Sequence, residues 1–234
     1  MPPPTKPAEP IPGTRRPSQR PGPPGGARDR NRREKIEGLM GAARGCFLAD
    51  GVEAVTIEAI TQAAGVAKGS FYRYFDDKAA LVAALVQPLI DASEGAFARC
   101  EERLRCAEGP EGYRAAYEAL ATELFAEVLQ DIDLVQIYLR EARAPASEAR
   151  APFATLQRVL SDGALALATV AVELKILRPL DPRVASLTVV GAAERLIYAH
   201  LCEAPLPDPL KALSDLVSVI VDGLLPPGAS SPQA

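Results

Sequence analysis

The chain has no tryptophan and a single histidine, His200, in 234 residues. One histidine excludes a site built on paired histidines, whether for a metal or for proton transfer. The four cysteines, at positions 46, 100, 106 and 202, lack metal-ligand spacing. They read as reduced thiols of a cytoplasmic protein. No Gly-rich phosphate loop is present. The longest uncharged apolar stretch of the second half, 164–172, falls well short of the roughly 20 residues that span a bilayer. The first residues lack the apolar run of a secretory signal. Alternation with period two is scarce, so strands are not expected. These absences point away from a metalloenzyme, a nucleotide hydrolase and a membrane or secreted protein. No cofactor and no metal are expected.

What is present is helix-forming and apolar. Hydrophobic residues make up 48% of the chain, enough for a sizeable core, and Ala and Leu dominate. The fold class is all-α. The first 33 residues are different material, with ten Pro, four Gly and no apolar periodicity. They carry a net charge of +6, so the remainder holds −10 of the total −4. Residues 1–30 read as a disordered basic arm, and Arg32 and Arg33 beside it as the best candidates for a nucleic-acid backbone. An uncommitted solvated tail is the plainer alternative. The acidic remainder confines any DNA contact to one small face.

Residues 52–85 carry the sharpest pattern. Ile36, Leu39, Met40, Ala43, Phe47 and Leu48 recur at helical spacing, which predicts a first helix over about 31–49. Gly51 can close it in a left-handed cap. Thr56 is a good N-cap, Glu58 suits the first turn, and Ile57, Ile60, Ala63 and Ala64 give the second helix its inner side. Gly65 and Val66 make a turn. A third helix, from about 67 to 74, reads KGSFYRY into Phe75. Gly69 costs it about 1 kcal/mol of helix propensity. Phe71 and Phe75 would anchor it, leaving Lys68, Ser70, Tyr72, Arg73 and Tyr74 as donors on an outer face. A helix pair with a tight Gly turn is the helix-turn-helix arrangement that seats its second helix in the DNA major groove.

The run Thr56, Ile57, Ile60, Ala64, Gly65, Val66, Gly69, Ser70, Phe71, Tyr72, Tyr74, Phe75 and Lys78 resembles the DNA-binding domain of TetR-type (TetR/AcrR) transcriptional regulators. The resemblance covers roughly 33–86. Ala67 departs from it, standing where a capping Ser or Thr is usual; Asp77 replaces a Ser cap and does the same work. The resemblance implies that Thr56, Tyr72 and Lys78 contact phosphates, and that Lys68, Gly69, Ser70 and Tyr74 form the groove face. It implies a three-helix DNA-binding domain at 31–77 and a helical effector-binding and dimerisation domain at 78–225, with 226–234 as a disordered tail.

The second domain is read from its own residues. A stripe of Leu81, Leu85 and Leu89 runs through Pro88, which predicts a bend. Helices are expected near 113–129, 133–144 and 147–177. Asp181-Pro182 and Asp208-Pro209 predict the starts of two more, over 182–203 and 209–225. Candidate ligand contacts, by residue type alone, are Tyr113, Tyr117, Phe125, Tyr138, Arg140, Phe153 and Gln157. The final helix is apolar over a wide arc, and Gly191 and Ala192 sit in a small-residue patch. Gly191, Ala192, Leu213, Val217 and Ile220 are expected at a twofold interface that forms a homodimer, the four-helix arrangement that the resemblance implies; a buried monomer core is the alternative. The expected function is a DNA-binding regulator, a repressor released from a palindromic double-stranded operator by a small molecule. An all-α enzyme or scaffold retaining a helix-turn-helix is the alternative, but no catalytic constellation supports it.

Overall fold

The computed structural model describes residues 26–176, 180–202 and 209–224. The positions 1–25 and 225–234, and with them most of the expected arm and all of the expected tail, lie outside the described residues. All regular structure among the described residues is helical. The order is α1 (Ala27–Asp50), α2 (Ile57–Ala63), α3 (Lys68–Phe71), α4 (Lys78–Cys106), α5 (Gly109–Gln130), α6 (Ile132–Glu141), α7 (Ala151–Glu173), α8 (Pro182–Cys202) and α9 (Pro209–Leu224). A single 3-10 turn, Glu148–Arg150, leads into α7.

By internal contacts the chain divides into two units, one ending at Glu37 and one beginning at Gly38. In the first unit, α1 starts at Ala27, earlier than its apolar periodicity predicts. Charge pairing extends it: Arg33 reaches Asp29 one turn back at 3.1 Å. The side chains of Arg30, Arg32, Arg33 and Lys35 are exposed.

In the second unit, Leu39, Ala43 and Phe47 are fully buried, as their spacing predicts. Gly51 has φ +83° and closes α1, its N–H donating to Phe47 O at 2.9 Å. Thr56 Oγ1 accepts from Ala59 N at 3.1 Å, Asp77 Oδ1 from Ala80 N at 2.7 Å, and Asp131 Oδ1 from Leu134 N at 3.1 Å. Each side chain takes one of the orphan N–H groups of a helix start. In α2 the buried partner of Ile60 is Thr61 rather than Ala63, its hydroxyl donating to Glu58 O at 3.0 Å.

Helix α4 runs unbroken through Pro88 for 29 residues. The proline lies in an exposed position, so the lost hydrogen bond falls on the solvent side. By length and composition α4 could cross a membrane. Its apolar residues are instead used in the core, where Leu81, Val82 and Val86 are fully buried. α4 packs against α5 and α7, and α7 against α8. At one α4–α7 crossing a Cβ on Gly163 would overlap the Phe97 ring.

Candidate nucleic-acid interface and internal cavity

The outer face of the helix-turn-helix is held from beneath by aromatic rings. Phe71 is fully buried and Phe75 nearly so, with ring centroids 5.6 Å apart. Tyr72 meets Phe71 edge-on at 5.5 Å while remaining 51% exposed. Lys68, Gly69 and Arg73 are exposed, and Ser70 and Tyr74 half-buried. A Cβ on Gly69 would meet nothing, so the backbone there is open to close approach. Regular helix ends at Phe71, three residues before its expected limit. Ala67 offers no side-chain cap, and Tyr74 N donates back to Phe71 O at 2.9 Å in a turn. Ring packing, rather than helix propensity, fixes this face.

Its charges are not all free. Lys68 pairs with Glu58 across the turn. The hydrogen bond between them holds the Glu58 carboxyl below its ordinary value and the Lys68 ammonium above it. Lys78 departs further from its expected role as a phosphate contact. Its Nζ donates to Val52 O at 2.7 Å, Val55 O at 2.9 Å and Glu53 O at 3.1 Å. An ammonium has three protons, so none is left for a phosphate in this arrangement. Lys78 ties the α1–α2 connection to the start of α4.

The same connection is gripped by α6. Glu141, 4% exposed, accepts from Val52 N at 3.1 Å and from Arg150 Nε at 2.6 Å. Arg140 donates to the end carbonyls of α1, Leu48 O at 3.0 Å and Phe47 O. At the other end of α6, its cap Asp131 pairs with Arg44 of α1 at 3.0 Å. Gly51 permits this grip: a Cβ there would lie 3.3 Å from Glu141 Oε1. Burial pushes the Glu141 carboxyl up, but the Arg150 bond, the Val52 N–H and the charges of Arg150 and Arg140 outweigh it. The carboxyl stays below its ordinary value and ionised. Arg140 is therefore no ligand contact, contrary to expectation; it faces α1.

Further along, α4 to α9 line a partly open cavity of about 280 Å³, with Leu129 and Ile132 exposed at its edge. Of the expected ligand residues, Tyr117, Phe125 and Tyr138 line it. Phe153 does not; it is core, 1% exposed. Tyr113 packs on the cluster of Cys100, Leu104 and Ala116 instead, and Gln157 is not on the wall. Residue type marks an aromatic as buried but not which side of a helix it takes. Glu194, His200, Phe97 and Ser93 line the wall without having been expected there. Glu194 carries the clearest polar feature, accepting from Tyr138 Oη at 2.5 Å and from Arg143 at 3.0 Å. Burial first, then this bond to Glu194, pushes the Tyr138 phenol far up, so it stays a neutral donor.

The expected dimer residues separate. Gly191 is exposed, and a Cβ on it would meet nothing within the protomer. It continues a stripe with Val184, 60% exposed, and Leu187, 67% exposed. Ala192 is half-buried. Val217 is buried at 8% exposure and lines the cavity, so it is corrected from interface to cavity wall; Val219, two residues on, is the exposed one. The side chains of Leu213 and Ile220 lie outside the described residues.

Comparison with known proteins follows the same division. Residues 39–85 match the family described as bacterial regulatory proteins, tetR family. No curated protein matches the chain. Among solved structures, NalD, the secondary repressor of the MexAB-OprM efflux pump in Pseudomonas aeruginosa, is 21% identical with a TM-score of 0.67. The match covers 84% of this chain and 98% of NalD. SmeT, repressor of the Stenotrophomonas maltophilia pump SmeDEF, is 22% identical over 85% of this chain and 94% of its own, at 0.61. SmeT is also solved as a triclosan complex. FadR from Bacillus subtilis, in complex with stearoyl-CoA, is 18% identical over 80% and 98%, at 0.62. At these identities the structures establish the fold, while the family match establishes the DNA-binding domain. The chain thus carries a DNA-binding domain of the tetR family at 39–85, on a fold it shares with these regulators.

Proposed function

We propose that the chain is a homodimeric, cytoplasmic repressor that leaves its operator when a small molecule fills the cavity. Helix α6 carries this reading. Its Val135, Tyr138 and Leu139 form cavity wall, and its last turn holds the end of α1 and Val52 through Arg140 and Glu141. An occupant that shifts α6 acts on the DNA-binding helices through those bonds. A ligand moves such an equilibrium only by its differential affinity for the two states.

Thr56, Tyr72 and Arg73 are the proposed backbone contacts, and Lys68, Gly69, Ser70 and Tyr74 the groove face. Thr56 Oγ1 accepts its cap bond and keeps its proton for a phosphate. Arg32 and Arg33, with the basic residues before them, would add electrostatic affinity without sequence preference. The domain limits 31–77 and 78–225 follow the same division of labour.

A gel-shift titration with the DNA upstream of the protein's own gene tests the reading. Retention at low salt, lost steeply as salt rises, is expected. Equal affinity for that fragment and for unrelated DNA of the same length would overturn it.

A further inference from the structure

The cavity wall has an asymmetry of charge that bears on what it can hold. Among the described residues, no Lys or Arg lines it. The one carboxylate among the described wall residues, Glu194, is 12% exposed and already engaged at both oxygens. Tyr138, 4% exposed, occupies Oε1 from within the wall. Arg143, 55% exposed, occupies Oε2 from the solvent side. The carboxylate is thus neutralised by a cation that does not itself line the cavity.

Two serine hydroxyls on the wall follow suit. Ser93 donates to Leu89 O at 2.7 Å and Ser186 to Ser161 O at 2.9 Å. Both have spent their proton but keep a lone pair for a ligand donor. A ligand anion would find no Lys or Arg among the described wall residues, only the imidazole of His200, and would face Glu194. A ligand cation would meet a carboxylate whose charge is already answered. Either would lose its hydration without full return, the usual cost of an unpaired buried charge. An uncharged molecule with one hydrogen-bonding head loses far less. The volume, about 280 Å³, sits at the lower edge of the roughly 300–1,000 Å³ of drug-sized sites.

We propose that the cavity selects small, uncharged, largely apolar molecules bearing a hydroxyl-type head, and that Arg143 sets this selectivity by neutralising Glu194 from outside the wall. This rests on the effector-cavity reading above. It goes beyond that reading in assigning a ligand class and a specificity residue that does not touch the ligand.

The test uses the full chain and a fluorescent apolar reporter, N-phenyl-1-naphthylamine, displaced at pH 7.5 by three molecules sharing one tail. These are decan-1-ol, decanoate and decyltrimethylammonium. The alcohol is expected to displace the dye at concentrations at least about tenfold below either ion. In Arg143→Gln the carboxylate loses its outside partner, and decyltrimethylammonium is expected to gain at least about fivefold relative to the alcohol, while decanoate does not gain. Arg143 is mostly solvent-exposed, so the variant should fold; an unchanged melting curve checks this, and Arg143→Lys should restore the wild-type order. Decanoate matching the alcohol, the ammonium surpassing it in the wild type, or an unchanged order in Arg143→Gln would each overturn the selectivity. A protein that binds no dye at all would instead overturn the effector-cavity reading itself.

Discussion

The Lys78 ammonium has three protons and three backbone carbonyls to receive them. At a helix N-terminus a lysine reads as a phosphate contact, because anions collect there. The loop at 52–55 folds back over it, and that fold depends on packing no local pattern reveals. Lys78→Met should therefore act on stability. Losing charge-assisted bonds at a partly buried site costs on the order of 2 kcal/mol, which lowers the melting temperature by roughly 4–8 °C. The slope of log K for DNA against log salt should hold, whereas loss of a phosphate contact would flatten it by about 0.9. A flattened slope with an unchanged melting temperature would return Lys78 to the interface. Gly163 presents the opposite case, a residue with no chemistry whose absence of a Cβ makes room. Gly163→Ala drives the added methyl into the Phe97 ring, itself part of the cavity wall. Overpacking of this kind costs about 1–3 kcal/mol. Dye capacity of the cavity is expected to fall with it; unchanged dye affinity in a folded variant would show that the ring yields elsewhere.

Elements were legible where their signals are local. Thr56, Asp77 and Gly51 cap where the sequence places them, and Asp181-Pro182 opens α8, because each cap bond spans a few residues. The role of α6 was not legible. The bond from Val52 N to Glu141 joins residues 89 apart in sequence, and Arg140 looked like a ligand contact only by type. Glu141 now ties the two functional regions, and its titration exposes the tie. Its folded-state carboxyl lies below the ordinary 4.5. The stability it adds is therefore complete above about pH 4.5 and lost as pH falls through the lower folded value. Glu141→Gln keeps the shape but removes the carboxylate that Arg140 and Arg150 share, leaving Arg150 only Glu53 at 3.6 Å. It should cost about 2–3 kcal/mol near pH 7, short of a fully buried pair because Arg140 is 43% exposed. The gap between wild type and variant should close as the medium is acidified below pH 4.5. Denaturant midpoints across pH 3–7 measure it, and a gap that stays constant across that range would remove Glu141 from the grip.

At the scale of the whole molecule the question is what covers the outer stripe of α8. Scattered exposed apolar residues need no explanation, but Val184, Leu187 and Gly191 recur at three and four residues along one helix face. Val219 adds an exposed apolar side chain on α9. On the repressor reading proposed above, a palindrome is read by two copies of the recognition helix spaced to the duplex, which makes a second copy of this chain the proposed cover. Gly191 discriminates between a protomer role and an interface role. Within the protomer a side chain there meets nothing, so Gly191→Leu should leave the monomer's fold intact and even favour helix. At a close twofold helix contact the same change overpacks, costing about 1–3 kcal/mol. That weakens the dimer constant by roughly 5- to 150-fold at about 1.4 kcal/mol per tenfold. Sedimentation over a range of concentrations should show the variant dissociating where the wild type remains paired, and operator binding should fall in step. A variant that pairs like the wild type would move the interface off this stripe. A wild type that sediments as a monomer while holding a palindromic duplex would end the dimer reading altogether.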